Sequence, residues 1–228
     1  MILRATVFTL SLVLVAACMH IKPPGVMVDS TTTPVSFLTD VKPILDRRCV
    51  VCHSCYNAPC QLKLSSYEGL DRGASKEVVY KGPRLRAQDP TRLFMDAHST
   101  AEWRTEGFHS VTESDAEGPH NNSLMLLLLD AKRLQPRSRG EYRPEANDLT
   151  CAADQREAGK FVRRNPGRGM PFGFPELSRD EFATLATWLQ REAPGPSPTQ
   201  QAELTTPGPR AAAMIALPSS SAQSTGTM

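Results

Sequence analysis

Val41-Lys42-Pro43-Ile44-Leu45-Asp46-Arg47-Arg48-Cys49-Val50-Val51-Cys52-His53 places two thiols three positions apart with an imidazole directly after the second. Val41, Ile44 and Leu45 recur at i, i+3 and i+4, which predicts an amphipathic helix running up to Cys49. Pro43 lies early enough to fit in its first turn. The C-x2-C-H spacing is that of c-type haem attachment. Each thiol can add to one of two vinyl groups on adjacent pyrrole rings, and the tether then brings the His53 ring nitrogen to the iron. The expected cofactor is therefore a covalent haem c on Cys49 and Cys52, with His53 as iron ligand.

Two other readings compete for the same thiols. Cys49, Cys52, Cys55 and Cys60 form C-x2-C-x2-C-x4-C, close to a bacterial iron–sulfur run, but Pro59 precedes the last cysteine instead of following it. A structural zinc site is the other, and it leaves His53 without a role. If haem takes Cys49 and Cys52, then Cys55, Cys60 and Cys151 remain as an odd set, and one disulfide, Cys55 with Cys60, is the expectation.

The N-terminus supplies a compartment. Arg4 precedes an apolar run from Ala5 to Ala17, after which the chain turns polar, so residues 1–18 read as an export signal. The run spans 13 residues against the roughly 20 that a bilayer-crossing helix needs. Val15-Ala16-Ala17-Cys18 also resembles a bacterial lipobox, in which Cys18 would be lipidated, and ordinary cleavage after Ala17 is an equal alternative. Both routes deliver the chain to the periplasm, where the haem-attachment machinery acts and disulfides persist. Across the 228 residues, 26 basic and 24 acidic side chains leave a formal charge of +2, so no global field exists to hold nucleic acid.

Residues 19–34 are Pro-, Gly- and Thr-containing and read as a tether. Further on, Leu64 to Leu70 suggests a turn, with short helices expected around Pro83 and Pro90, one starting at Asp89-Pro90-Thr91-Arg92-Leu93-Phe94. Residues 104–120 read as loop. Ser123 is a good N-cap for Leu124 to Leu129, six apolar residues that suit a helix buried on several sides. Glu157 to Val162 reads as helix, and Ser178 caps a last helix with Phe182, Leu185, Ala186 and Leu189 at helical spacing. Beyond Ala193 the composition becomes rich in Pro, Ser, Thr and Ala, and residues 194–228 are expected to be disordered.

Gly169-Met170-Pro171 ahead of that last helix is how many small cytochromes c present a methionine, so Met170 is the candidate sixth ligand. Simple core filling by Met170 is the plainer alternative. His98, His109 and His120 are rival ligands in the insert. Arg163, Arg164 and Arg168 form either a partner for haem propionates or a solvated basic face. Trp103 and Trp188 are candidates to pack on the porphyrin, although Trp188 also lies on the apolar stripe of the last helix.

The run from Val41 to His53, continuing through Cys55-Tyr56-Asn57-Ala58-Pro59-Cys60-Gln61-Leu62-Lys63-Leu64-Ser65-Ser66, resembles the bacterial fatty acid cis/trans isomerases. Glu68 to Ala74, Thr91 to Phe94, Ser99 to Arg104 and Gly169 to Pro171 resemble the same family in the same order, so the likeness covers about residues 35–193. It implies a periplasmic c-type haem protein that converts cis to trans double bonds in the acyl chains of membrane phospholipids. Unsaturated acyl chains and the membrane surface are then the partners. Family members are, by the same resemblance, much longer, and after about Glu203 the likeness ends, so a truncated or frameshifted chain is expected.

These readings converge on a mostly α protein: a cytochrome c-like helical domain over residues 35–193, a long insert between haem motif and methionine loop, and a disordered tail. The expected function is that of the haem-bearing part of the isomerase, with weak lipid turnover by this chain alone. A periplasmic electron-transfer cytochrome is the alternative.

Overall fold

The computed structural model describes residues 23–30, 33–54, 58–77, 80–81, 84–85, 91–136 and 151–205. The export signal with Cys18, residue Cys55 and residues 206–228 lie outside the described residues. The chain divides into two units, residues 1–195 and 196–228.

The first unit is mostly helical. A π-helical turn, Phe37–Val41, runs directly into α1, Lys42–Arg48, which carries Pro43 in its first turn as the sequence predicts. Then follow α2 (Tyr67–Arg72), α3 (Thr100–Thr105), α4 (Leu124–Leu134), α5 (Gln155–Arg164) and α6 (Arg179–Gln190). In each of these five an N-cap side chain accepts an orphan N–H: Ser66, Ser99, Ser123, Asp154 and Ser178 respectively. Ser178 and Glu181 complete a reciprocal capping box. Strands are short: β1 (Val26–Met27), β2 (Ala74–Ser75), β3 (Tyr80–Lys81), β4 (Arg84–Leu85), β5 (Phe108–His109) and β6 (His120–Asn121). They pair antiparallel as β1–β6, β2–β5 and β3–β4.

The core lies between the Phe37–Val41 turn, α1, α4 and α6. Phe37, Val41, Leu45, Leu126, Leu185, Trp188 and Leu189 are buried there. Phe37 meets Tyr67 edge-on at 5.2 Å between ring centroids and Trp188 at 5.9 Å. The Trp188 indole donates to the Pro194 carbonyl (3.0 Å) and the Tyr67 hydroxyl to that of Ala193 (3.2 Å), which fastens the chain after α6 to the core. A second, smaller cluster holds Ala97, Trp103 and Phe108.

Several expectations are corrected. The segment read as a tether supplies β1 and a buried Val28, because Val26 and Met27 pair with Asn121 and His120. The loop expected over 104–120 contains β5 and most of the turn leading to β6. No helix starts at Thr91: Phe94 has a left-handed backbone (φ 66°), and the Asp96 carboxylate takes both the Arg92 backbone N–H and its guanidinium, closing a turn instead. Asp89 and Pro90, like Pro83, lie outside the described residues. The tail is not uniformly irregular either, since Pro198–Thr205 forms α7 in the second unit.

α1 and α6 are joined by charge. Glu181 receives the Arg48 guanidinium through two nitrogens, at 3.1 and 2.8 Å, and Arg47 at 3.5 Å. The Arg48 hydrogen bonds hold the Glu181 carboxyl well below its ordinary 4.5, at about 2. A depressed carboxylate contributes stability that is complete above pH 4.5 and is lost as pH falls toward 2. Glu181→Gln keeps the capping box while removing the charge. It should cost about 1–2 kcal/mol at pH 6, and the gap from wild type should close between pH 4.5 and 2 in urea titrations.

Cys60 is bonded to Cys151, 91 residues away, and not to Cys55. Sequence spacing favours near neighbours, but the fold brings the 3-10 turn Pro59–Gln61 against the residues leading into α5. Closing so long a loop restricts the unfolded chain strongly. The Cys60→Ser/Cys151→Ser variant should therefore lose roughly 2–4 kcal/mol, read as a lower denaturant midpoint.

Candidate functional site

At the end of α1 the Cys49 N–H donates to the Leu45 carbonyl (2.8 Å), and the Cys49 carbonyl in turn accepts from Cys52 N (3.1 Å) and His53 N (3.0 Å). This tight turn brings both thiols and the imidazole to one cavity, which encloses about 1090 Å³ with its open mouth included. Cys49, Cys52, His53 and Met170 all line it, so residues the sequence separates by more than a hundred positions meet here. Both thiols are free. Burial raises the Cys49 thiol to about 12, with the neighbouring Cys52 adding to the effect, whereas Cys52 is exposed.

His53 is oriented by its backbone neighbour. Its Nδ1 lies 3.1 Å from the Leu62 carbonyl, so the ring proton belongs on Nδ1 and Nε2 keeps its lone pair. Burial lowers the pKa of His53 and keeps the ring neutral, the form that binds metal. The Leu64 N–H donates to the His53 carbonyl at 2.7 Å and closes the loop from the other side.

That loop is pinned by residues the sequence does not advertise. Cys60 and Gln61 both have left-handed backbones (φ 58° and 51°), a costly arrangement for side-chain-bearing residues. The disulfide to Cys151 holds Cys60, and the Arg72 guanidinium donates to the Gln61 carbonyl and, at 3.3 Å, to that of Thr91. The Thr91 hydroxyl donates to the Gln61 side-chain oxygen (2.6 Å). Arg72 is fully buried, and its guanidinium stacks 4.8 Å from the Phe108 centroid and 5.5 Å from that of Trp103. Desolvation brings Arg72 down to about 10. In Glu68-Gly69-Leu70-Asp71-Arg72 this arginine looks like any exposed helix residue, and nothing local marks it.

The far wall comes from α4 and the methionine loop. Leu124, Met125, Leu128 and Leu129 line the cavity, while Leu126 points into the core, so one helix serves two apolar surfaces. That is why its sequence is a run of apolar residues instead of a single stripe. Met170 N–H donates to the Leu128 carbonyl (2.9 Å), docking the loop on α4. Gly169 allows this approach, because a Cβ there would collide with the Lys132 backbone nitrogen and the Leu128 oxygen. Phe172 and Phe174 complete the lining.

The other candidates fall elsewhere. His98, His109 and His120 do not line the cavity; His109 sits on β5 and His120 on β6. Trp103 and Trp188 belong to the two cores and do not line the cavity, which bears out the core reading of Trp188 and corrects that of Trp103 as a porphyrin neighbour. Arg163, Arg164 and Arg168 are also absent from the lining, and Arg48 is the guanidinium that reaches it. The four-thiol ligand run for an iron–sulfur cluster is broken by the Cys60–Cys151 bond. Among the described residues no group of three or more His, Cys, Asp or Glu side chains could hold a metal ion. A neutral imidazole with a fixed tautomer, two free thiols, a methionine and apolar walls fit a c-type haem.

Among curated proteins and solved structures, nothing matches this chain. A family model described as fatty acid cis/trans isomerase matches residues 88–208, a segment that includes α4, α5, α6 and Met170 and begins after the C-x2-C-H motif. With more than half of its length matched, the chain belongs to the fatty acid cis/trans isomerase family.

Proposed function

We propose that this chain is the haem-bearing part of a fatty acid cis/trans isomerase acting on the acyl chains of membrane phospholipids, in the periplasm. The observation that carries the reading is the convergence of Cys49, Cys52, His53 and Met170 on one apolar cavity in a chain of this family. Cys49 and Cys52 would hold the haem covalently, His53 Nε2 would bind its iron, and Met170 would be the candidate for a further iron ligand. A helical frame, a C-x2-C-H turn and a methionine loop on one cavity support a cytochrome c-like domain.

Turning cis into trans without moving the double bond requires temporary loss of π character, and a ferric haem would supply an acceptor for that electron density. No atom is gained or lost, and the trans product is the more stable isomer, so no energy source is needed. The residues of this chain have three tasks. His53, oriented by the Leu62 carbonyl on Nδ1, would hold the iron through its unprotonated Nε2. Leu124, Met125, Leu128, Val111 and Phe172 provide apolar walls for an acyl chain and exclude water. Met170, on a loop whose backbone N–H bonds the Leu128 carbonyl of α4, would be a further ligand to the iron.

An electron-transfer cytochrome would keep a six-coordinate iron indifferent to lipid, and this gives the test. The visible spectrum of the haem-loaded chain should change on titration with a cis-unsaturated fatty acid and not with its saturated counterpart. Met170→Ala should strengthen the response, because it removes a side chain that would compete for the iron. A wild-type spectrum and a Met170→Ala spectrum both insensitive to the cis acid would overturn the isomerase reading in favour of electron transfer.

A further inference from the structure

Two motifs stand apart from the haem chemistry: the Arg163–Arg164 pair and the lipobox-like run that ends at Cys18. The helix α5 connects them. Arg156, Lys160, Arg163 and Arg164 stand at i, i+4, i+7 and i+8, which is one face of this helix, and all four are exposed. None of the four forms an ion pair, and the single acidic side chain on the helix, Glu157, is taken by Lys76 (2.6 Å) and by the Ala153 N–H (3.0 Å). Such a stripe costs the helix stability. Arg156 with Lys160, and Lys160 with Arg164, are like charges one turn apart, and Arg156 lies in the first turn, where the helix dipole disfavours a cation. The whole chain carries a formal charge of +2, so everything outside these four residues is net negative, and the positive field is local to α5.

The N-terminal segment enters the fold at this helix. A Cβ on Gly159 would lie 2.9 Å from Pro23 Cγ and 3.3 Å from Arg163 Nη1, so Pro23 and the Arg163 guanidinium meet over Gly159. Just downstream, Val26 pairs with Asn121 and the Val28 N–H donates to the Pro119 carbonyl (2.9 Å), which fixes the segment on the domain. Cys18 lies five positions before Pro23, and five residues reach at most about 18 Å. A lipid on Cys18 would therefore keep the Pro23 end of this contact within about that distance of a bilayer.

We propose that the Arg156–Lys160–Arg163–Arg164 face of α5 docks on anionic phospholipid headgroups, held there by a diacylglyceryl group on Cys18. Charge selects the occupant: lipid phosphates form an extended anionic plane, which suits four unpaired cations spread over about 12 Å of one helix face. The short link from Cys18 selects the place. A lipid chain and a basic patch then act together in attachment.

Two arms test the two halves, each with the chain expressed in an exporting bacterium that has the haem-attachment machinery. In the first, the intact mass of the mature wild type should be that of a chain starting at Cys18 and carrying a diacylglyceryl group. In the second, the Cys18→Ala chain is recovered haem-loaded from the soluble periplasmic fraction and sedimented with phosphatidylcholine vesicles, with and without phosphatidylglycerol. It should bind only the vesicles that contain phosphatidylglycerol, and more weakly as salt rises. In that background Lys160→Gln/Arg163→Gln should weaken binding at least about 10-fold. The pair Arg47→Gln/Arg179→Gln removes the same charge elsewhere and should stay within about twofold. All four positions are exposed, so both pairs should keep the parent's melting temperature within a few degrees. A mature wild type that starts elsewhere or lacks the lipid would overturn the proposal. So would a Cys18→Ala chain that ignores phosphatidylglycerol, equal losses in the two pairs, or a loss confined to the Arg47 and Arg179 pair. Release from the vesicles by polyglutamate of equal charge would assign the face to an acidic protein and overturn it as well. Neither arm reads the haem or an acyl double bond, so each of these failures is distinct from failure of the cavity reading.

Discussion

The hydrogen bond between His53 Nδ1 and the Leu62 carbonyl is the constraint around which this site is organised. An imidazole can point either nitrogen at a cavity, and only an acceptor fixed on one side decides which. Leu62 can serve because the two residues before it are held in left-handed conformations that an unrestrained chain would abandon. Restraint comes from both sides: the Cys151 disulfide on Cys60, and the buried Arg72 and Thr91 on Gln61. Residues 53, 60–62, 72, 91 and 151 thus form one mechanical unit behind a single nitrogen.

Arg72 illustrates how that unit is stabilised. A buried guanidinium with no carboxylate among its hydrogen-bond partners is expensive, and its partners here are carbonyl and hydroxyl oxygens and the faces of two aromatic rings. The small Trp103–Phe108 cluster is therefore linked to the cavity wall by one side chain. The core around Trp188 performs the complementary task, setting α1 and α6 against each other so that the turn after α1 faces the methionine loop.

The local features of this arrangement were readable in sequence. Pro43 in the first turn of α1, the Ser123 and Ser178 caps and the apolar run of α4 are short-range signals, and each depends on neighbours within one helical turn. C-x2-C-H and Gly-Met-Pro were legible for the same reason, and the fold brings them to one cavity. What was not legible is long-range. Cys151 as the partner of Cys60, Val26 pairing with Asn121 and the burial of Arg72 all depend on contacts between distant segments. The Arg92 turn misled for a different reason: a good helix-start pattern lost to an aspartate four residues on that captured the backbone N–H first.

The central claim is that Cys49, Cys52 and His53 hold a covalent haem, and it is tested most directly by the protein matured in cells that have the periplasmic haem-attachment machinery. After acid denaturation the chain should stay red and carry the mass of one haem, with His53→Ala retaining the covalent group but losing the native iron spectrum. Replacement of either cysteine by alanine should weaken or abolish the attachment. A colourless wild-type chain with both thiols still open to alkylation would contradict the account.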